Sequence, residues 1–446
     1  MRRPKNYVPP FTALSWLLPF SLGCLVLLAS CASPRTYTSE IDSGDIPDLD
    51  QPLVASHSFP AVDRVLNDKE RQRMQEYLAQ HVRPDDVLFR FTSPAGDEID
   101  CVDIQKQPAL RRPDMAKHVI EYKPRGFVRD EGKDQVMQEE QERPDVQSRE
   151  QEFTSGGQSC PPKSVPMGHL TMDILKNFET LEAFFNKTPP KDGPTSLHQY
   201  AKADKSVSNW GGESVFNVWK PYTERSDEFT LSQMWVVRGS GSNKETIEGG
   251  WQKYRDLYGD WRSRLFIYFT PDNYGSGGCY NLTCGAFVQV NNSVYIGGGF
   301  TNYSSHDGPQ YTFKLLWYKD GESGHWWLRY GDTWVGYYPR SLFDGNGLRD
   351  FAARTSFGGE IINRNISSQH TRTDMGSGYM PSYGFRWAAY QRSIRYVDTS
   401  NFYRQASGMS TFVSDADCYD IQLNSSGGSW EQYFYFGGWG YNSQCE

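Results

Sequence analysis

Beyond a break at Pro189, Pro190, Gly193 and Pro194, the chain turns into short runs of alternating apolar and polar residues punctuated by Gly, Asn and Asp. Such runs fall at 229–237, 264–269, 286–290, 311–318 and 326–330. A strand with period two commits every second side chain to one face. About 250 residues of this spacing therefore suit a two-sheet sandwich or a barrel. The 27 Tyr, 25 Phe, 13 Trp and 41 Gly favour the same reading, since aromatics fill pleated surfaces and glycines fill turns. The expected class is mainly β, with no solenoid or propeller period.

Upstream of the break the text is different. Residues 63–82 carry a helical pattern through Val65, Leu66, Met74, Leu78 and Val82, and strand-like runs follow at 87–91 and 97–104. Residues 125–157 are rich in Glu, Gln, Asp and Arg with almost no apolar content, which predicts a solvated or disordered loop. A second helical pattern at 171–185 uses Met172, Leu175, Phe178, Leu181 and Phe185 as one face. The helix-breaking segment 186–195 then marks the main boundary, between a smaller α+β region at 61–195 and a β domain at 196–446.

The extreme N-terminus reads as an export signal. Arg2, Arg3 and Lys5 precede an apolar stretch over 11–29, and Leu28-Ala29-Ser30-Cys31 fits a lipobox, so residues 1–30 are expected to be removed and Cys31 acylated. An uncleaved anchor helix and a plain secretory signal are the alternatives. Residues 31–60, rich in Ser, Asp and Pro, would tether the folded body to a bacterial envelope membrane. With Cys24 lost and Cys31 lipidated, six of eight cysteines remain, an even number that in an exported chain points to disulfides. Closeness in sequence favours Cys279–Cys284; Cys418–Cys445 would tie down the C-terminus and leave Cys101–Cys160.

Two glutamates lie in matching surroundings: Glu248 in Thr-Ile-Glu-Gly-Gly-Trp and Glu360 in Ser-Phe-Gly-Gly-Glu-Ile-Ile. Each has a glycine pair beside it and apolar neighbours, where a lone carboxylate is poorly hydrated and has to share a proton or a partner. Two of them facing one water make an acid/base dyad. Other chemistries lack their residues: there is no C-x-x-C, no H-E-x-x-H and no G-x-S-x-G, so neither a metal nor any other cofactor is expected. A net charge of −8 without a basic stripe argues against nucleic acid.

A set of ordered motifs extends these readings. Residues 100–109 (Asp-Cys-Val-Asp-Ile-Gln-Lys-Gln-Pro-Ala), Cys160-Pro161 and Val165-Pro166 lie upstream; 231–237, 246–251, 256–260, 264–268, 278–282, 358–360 and 375–378 follow. Together they resemble the neprosin family, glutamic peptidases that cleave on the carboxyl side of proline. The resemblance implies an inhibitory pro-region, an antiparallel β-sandwich of two large sheets, and a groove holding two catalytic glutamates at Glu248 and Glu360. It also implies disulfides at Cys279–Cys284 and Cys418–Cys445. Gly249 after Glu248 and the acidic insertion at 125–157 depart from the family pattern, with a different subsite shape and activation as the expected result; the lipobox departs from the secreted plant members and points to a bacterial one.

Peptide hydrolysis by such a pair needs one carboxylate to take a proton from water while the other delivers one to the departing amine or the carbonyl oxygen. Like charges held close divide their pKa values, so an acid and a base coexist at mildly acidic pH. Proline has a fixed φ and no N–H, so an aromatic wall can select its shape. Trp235 and Trp251 are candidates for that wall, with the sandwich core as their alternative place. Gln233 is a candidate donor to the tetrahedral intermediate. The expected product is a zymogen, monomeric, matured in acid by cleavage near Pro190 or Pro194. A β-sandwich glycosidase with two glutamates and a non-catalytic lipoprotein that binds carbohydrate or peptide are the rival readings.

Overall fold

The computed structural model describes residues 66–127, 146–148, 151–187, 197–364 and 369–445. The export signal, Cys31 and the tether expected at 31–60 lie outside the described residues. The described part of the N-terminal region opens with α1 (Asp68–His81), whose first turn is closed by Asn67: its side-chain oxygen accepts the Glu70 N–H at 2.9 Å. The strands β1 (Val87–Thr92) and β2 (Glu98–Asp103) follow. β3 (Val146–Ser148), the helix α2 (Glu152–Ser155) and β4 (Ser164–Gly168) come next. β1, β2 and β4 form a three-stranded antiparallel sheet, stapled where β2 meets the chain before β4 by the Cys101–Cys160 disulfide.

Two expectations need correction here. The helix read over 171–185 is two short ones, α3 (Met172–Leu175) and α4 (Leu181–Phe185): α3 ends at Leu175, and Thr180, in extended backbone, starts a new helix by accepting the Ala183 N–H at 3.1 Å. Of the expected apolar face, Leu175, Phe178 and Leu181 are buried and Met172 and Phe185 half-buried, with Phe184 buried in place of the last. The charged stretch 125–157 is likewise not a plain solvated loop throughout. Val146–Ser148 adds a parallel strand to the main sheet, and downstream of it Phe153 and Gln151 are buried, the Gln151 amide bonding both the carbonyl and the N–H of Tyr295. Composition averaged over 33 residues hides one apolar anchor.

The rest is one large curled sheet of sixteen strands. Its strands are β5 (Leu197–Asn217), β6 (Phe229–Arg238), β7 (Glu245–Tyr254), β8 (Ser263–Thr270), β9 (Cys279–Tyr280) and β10 (Val288–Gln289). Then come β11 (Gln310–Lys319), β12 (Trp326–Tyr330), β13 (Thr333–Tyr338) and β14 (Ala352–Asn363). β15 (Ala389–Asp398), β16 (Tyr403–Gln405), β17 (Ser410–Val413), β18 (Asp420–Ser425) and β19 (Gln432–Gly437) complete it, with β3 as the sixteenth.

The curl is made by β5. Its first half pairs with β14 and β17, in the arm that continues through β6, β7, β8 and β9; its second half pairs with β11 and β15, in the arm that holds β10, β12, β13, β18 and β19. The change of arm falls at Gly211, where φ is +130° and a Cβ would stand 1.8 Å from the Trp317 carbonyl oxygen, so no larger residue fits. Met234, Val236, Ile247, Trp251, Leu265, Ile267 and Phe357 of one arm meet Phe313, Leu315, Trp317, Trp326, Leu328 and Phe436 of the other in the main core. That is the expected mainly β, two-layered body.

Period two decides what lies on the outer face of the first arm. Alternate residues there, among them Leu231, Trp235, Tyr254, Phe266, Tyr268 and Ile362, pack against Leu175, Phe178, Leu181 and Phe184 of the N-terminal region. The outer face of the second arm, with Leu316, Tyr318, Trp327 and Tyr337, is covered in turn by Ala109 and Met115. Cys279–Cys284, favoured by sequence proximity, and Cys418–Cys445, expected to tie down the C-terminus, are both bonded.

Candidate active site

Glu248 on β7 and Glu360 on β14 are separated by one strand, β6. In the register, Trp235 of β6 lies opposite Glu248, and Leu231 lies opposite Glu360. Between these rows comes Gln233, whose two cross-strand neighbours are Gly250 and Gly358. Glycine on both sides leaves the middle row with no side chain but that of Gln233, and the two carboxylates close over this gap from either side. One glycine of each matching pair thus has this cause; the other, Gly249 or Gly359, faces the core, where a Cβ would press on Trp317 or on Phe436 and Met375.

The gap is filled by a cation from the N-terminal region. Lys187, two residues past α4, sends its ammonium between the two carboxylates: Nζ to Glu248 Oε2 is 2.7 Å and to Glu360 Oε2 is 2.6 Å. A single nitrogen touches both, so these oxygens lie within about 5 Å of each other. All three side chains are buried, at 1%, 0% and 2% exposure for Lys187, Glu248 and Glu360. The Lys187 backbone N–H donates to the Tyr268 hydroxyl at 3.2 Å, and its ammonium lies 5.7 Å from the Trp235 ring centroid and 5.8 Å from that of Phe229.

The remaining carboxylate valences are taken by neutral or ring donors. Tyr274 Oη donates to Glu248 Oε1 at 2.6 Å and Thr246 Oγ1 to the same oxygen at 2.9 Å. His198 Nδ1 lies 2.6 Å from Glu360 Oε1, and Gln233 Nε2 donates to Glu360 Oε2 at 3.0 Å. Burial alone would push the Lys187 ammonium down, yet the two carboxylates outweigh it and hold its pKa above the ordinary lysine value. Burial would push Glu360 up, and Lys187 and His198 together hold it below the ordinary glutamate value.

Of the residues singled out from sequence, Glu248, Glu360, Gln233 and Trp235 come together on this face. Trp251 does not. It is three residues from Glu248 on the same strand, so the alternation turns its ring into the main core, where its indole N–H donates to the Asn217 carbonyl at 2.9 Å. Lys187, His198, Thr246 and Tyr274 were missed. Thr246 and His198 are on strands beside the dyad and follow from period two once pairing is known. Lys187 and Tyr274 come from non-strand segments, and nothing local marks them.

A cavity of about 280 Å³ between the N-terminal region and the sheet is lined by His81, His169, Phe184, Tyr258, Arg264 and Tyr295, with neither glutamate in its wall. His370 with Cys418 and Cys445 forms a cluster compact enough for a metal, but its two sulfurs are bonded to each other.

Residues 226–439 match the family model described as Neprosin, and residues 90–213 match the model described as Neprosin activation peptide. Among solved structures, Scytalido-glutamic peptidase with a peptide-based transition-state analogue aligns at 9% identity and a TM-score of 0.30, over 55% of this chain and all of that one. SCP-B, of the Eqolisin family of peptidases, in complex with the tripeptide Ala-Ile-His aligns at 9% and 0.29, over 54% of this chain and 98% of that one. CG-16, a homodimeric agglutinin from chicken liver, aligns at 6% and 0.20, over 36% of this chain and 95% of that one. Overlays this distant carry no functional argument.

Proposed function

Because the chain belongs to the neprosin family, with an activation-peptide stretch ahead of its peptidase stretch, we propose that it is a glutamic peptidase held latent by Lys187 and working through Glu248 and Glu360. The observation that carries this reading is the single ammonium clamped between two buried carboxylates. Nothing in a structural ion pair calls for two acids and one base, whereas a water-activating dyad needs two acids whose charges are close. Lys187 sits where the water and the scissile bond would have to enter.

The clamp and the reaction require different protonation states. One ammonium is held by two ionised carboxylates; hydrolysis requires that they share a proton, one acting as base toward water and the other as acid toward the leaving amine. Acid that protonates the pair therefore dismantles the inhibitor and arms the catalyst in one event. Gln233, released from sharing its amide with the clamp, is placed to donate to the developing oxyanion. Trp235 and Phe229 supply an apolar wall on which a pyrrolidine ring can lie, the basis for preferring proline on the acyl side.

The sign is fixed by Glu360. Its pKa is depressed in the clamped state, so the clamp's stability is present above the ordinary glutamate range and is lost as pH falls through the depressed value. Lys187, raised, would release only in alkali. Opening is thus acid-driven.

The test is hydrolysis of a proline-containing peptide by the purified chain across pH 3–7, about the range in which carboxyl groups titrate. Glu248→Gln and Glu360→Gln should each lower kcat by at least about 100-fold. Cleavage of a glycan instead, or full activity in either variant, overturns the reading. We also propose that the protein is exported and anchored through Cys31; if Cys31→Ser leaves it in the membrane fraction, the anchor is elsewhere.

A further inference from the structure

The activation-peptide stretch grips the sheet at a second place, on the outer face of the other arm. Phe127 enters a cage of three rings: Trp334, Tyr318 and Tyr403, with centroid distances of 4.9, 5.2 and 6.3 Å and interplanar angles of 84°, 87° and 90°. All three meet it edge to face, the favoured arrangement of aromatic quadrupoles. The Arg329 guanidinium lies 5.5 Å from the Phe127 centroid, and the ring is left half-buried.

The residue before it is held by its backbone. The Gly126 N–H donates to Asp320 Oδ1 at 2.9 Å, and its carbonyl accepts from Asn401 Nδ2 at 2.7 Å. A Cβ at Gly126 would stand 3.1 Å from that Asp320 oxygen, tighter than ordinary contact. The site therefore reads two adjacent positions, a residue without a side chain and then a ring.

The walls do not depend on Phe127. Tyr318 Oη donates to Asn401 Oδ1 at 3.0 Å, Arg329 donates to Asp332 at 2.6 Å and lies 5.7 Å from the Trp334 centroid, and Trp327 packs on Trp334 at 5.9 Å. Strand pairing of β11, β12 and β13 sets the remaining positions. Departure of the N-terminal region would uncover a preorganised aromatic pocket with one acceptor and one donor already aimed at a peptide unit.

We propose that this cage is a recognition pocket for a glycine–aromatic pair in an extended polypeptide, filled by Gly126 and Phe127 in the uncleaved chain and open to substrate polypeptides after maturation. The proposal rests on the peptidase reading for its use, but not for its binding chemistry. Cage and dyad lie on opposite outer faces of the two-layered sheet. A substrate engaging both needs roughly twenty residues of flexible chain to reach round, and gains local concentration at the dyad when it does.

Binding is tested in the full chain carrying Gly126→Ala and Phe127→Ala, which frees the cage from its own segment. A fluorescent peptide with the sequence of residues 122–127 should bind saturably by anisotropy. Affinity should fall at least tenfold when the peptide's glycine becomes alanine, or when Trp334→Ala is added to the protein. Absence of binding by a variant with native circular dichroism, or binding indifferent to Trp334, overturns the proposal; so does preference for an oligosaccharide over the peptide.

Use is tested with acid-matured protein and two peptides sharing one cleavage site, about twenty flexible residues from Gly-Phe in one and Gly-Ala in the other. The first should show a several-fold lower KM at unchanged kcat, and Trp334→Ala should erase the difference. Equal KM values overturn the substrate role. If neither peptide is cut, the peptidase reading fails and anisotropy alone decides the pocket.

Discussion

At the residue scale, the meaning of Lys187 lies in what remains when it is changed. Lys187→Met would leave Glu248 and Glu360 buried and facing each other without a cation, a loss that for a broken buried pair costs about 3–5 kcal/mol at neutral pH. The pair would answer by sharing a proton, which is the catalytic state. The expected outcome is a chain that converts to its mature form at a higher pH than the parent, measured by gel analysis of maturation against pH; an unchanged pH midpoint would remove Lys187 from the inhibitory mechanism. The two tryptophans should separate as well. Trp235→Ala is expected to raise KM for proline peptides with folding kept, whereas Trp251→Ala, a core truncation, should cost about 3–5 kcal/mol of stability by denaturant unfolding. Sequence placed both in the motif strands, Trp235 in 231–237 and Trp251 at the end of 246–251. It could not show which faces the site, because that depends on the parity of each residue relative to Glu248 and on where the bulk of the core falls.

At the element scale, the N-terminal region is fastened to the first arm by ions, at Arg264, four residues along β8 from the Tyr268 that lies opposite Glu248. Asp97, in the turn between β1 and β2, accepts from Arg264 at 2.7 and 3.1 Å and from Arg262 at 2.7 Å, while Arg262 also pairs with Glu152 of α2. Arg264 is 2% exposed, so its charge has little water to fall back on. Asp97→Asn should therefore loosen docking on that side and make conversion faster at a given acidic pH, read as the rate of appearance of the mature chain. An unchanged rate would mean that the ion cluster plays no part in retention. The sequence displays each participant, with Asp260 and Arg262 just ahead of β8 and Arg264 on it, yet Asp97 and Glu152 are over a hundred positions away. Local pattern located the strands well, because alternation is a local property. It failed at the 171–185 helix and at β3, where one capping threonine and one short pairing outweighed the average character of the segment.

At the scale of the whole molecule, acid has to open the clamp without melting the sheet, and the buried carboxyls are divided accordingly. Glu228, fully buried at the start of β6, is pushed up to about 6 by burial, against the pull of hydrogen bonds from Thr373, the Arg364 N–H and Thr371. Burial likewise pushes Asp374, which accepts the Tyr222 N–H at 2.9 Å, up to about 7. A carboxyl whose folded pKa lies above its unfolded value takes up a proton more readily when folded, so stability rises as pH falls from the folded value toward the unfolded one. Glu360 in the clamp has the opposite sign. Between about pH 6 and the ordinary glutamate range, these two groups firm the β body, and below that range the Glu360 clamp lets go. In a Glu248→Gln background, which cannot process itself, the melting temperature of the β body should climb as pH is lowered from 7 toward 5, and Glu228→Gln together with Asp374→Asn should flatten the climb. A parent whose melting temperature falls steadily over this interval would show that acid attacks the body and the clamp alike, and that maturation proceeds by partial unfolding instead of release.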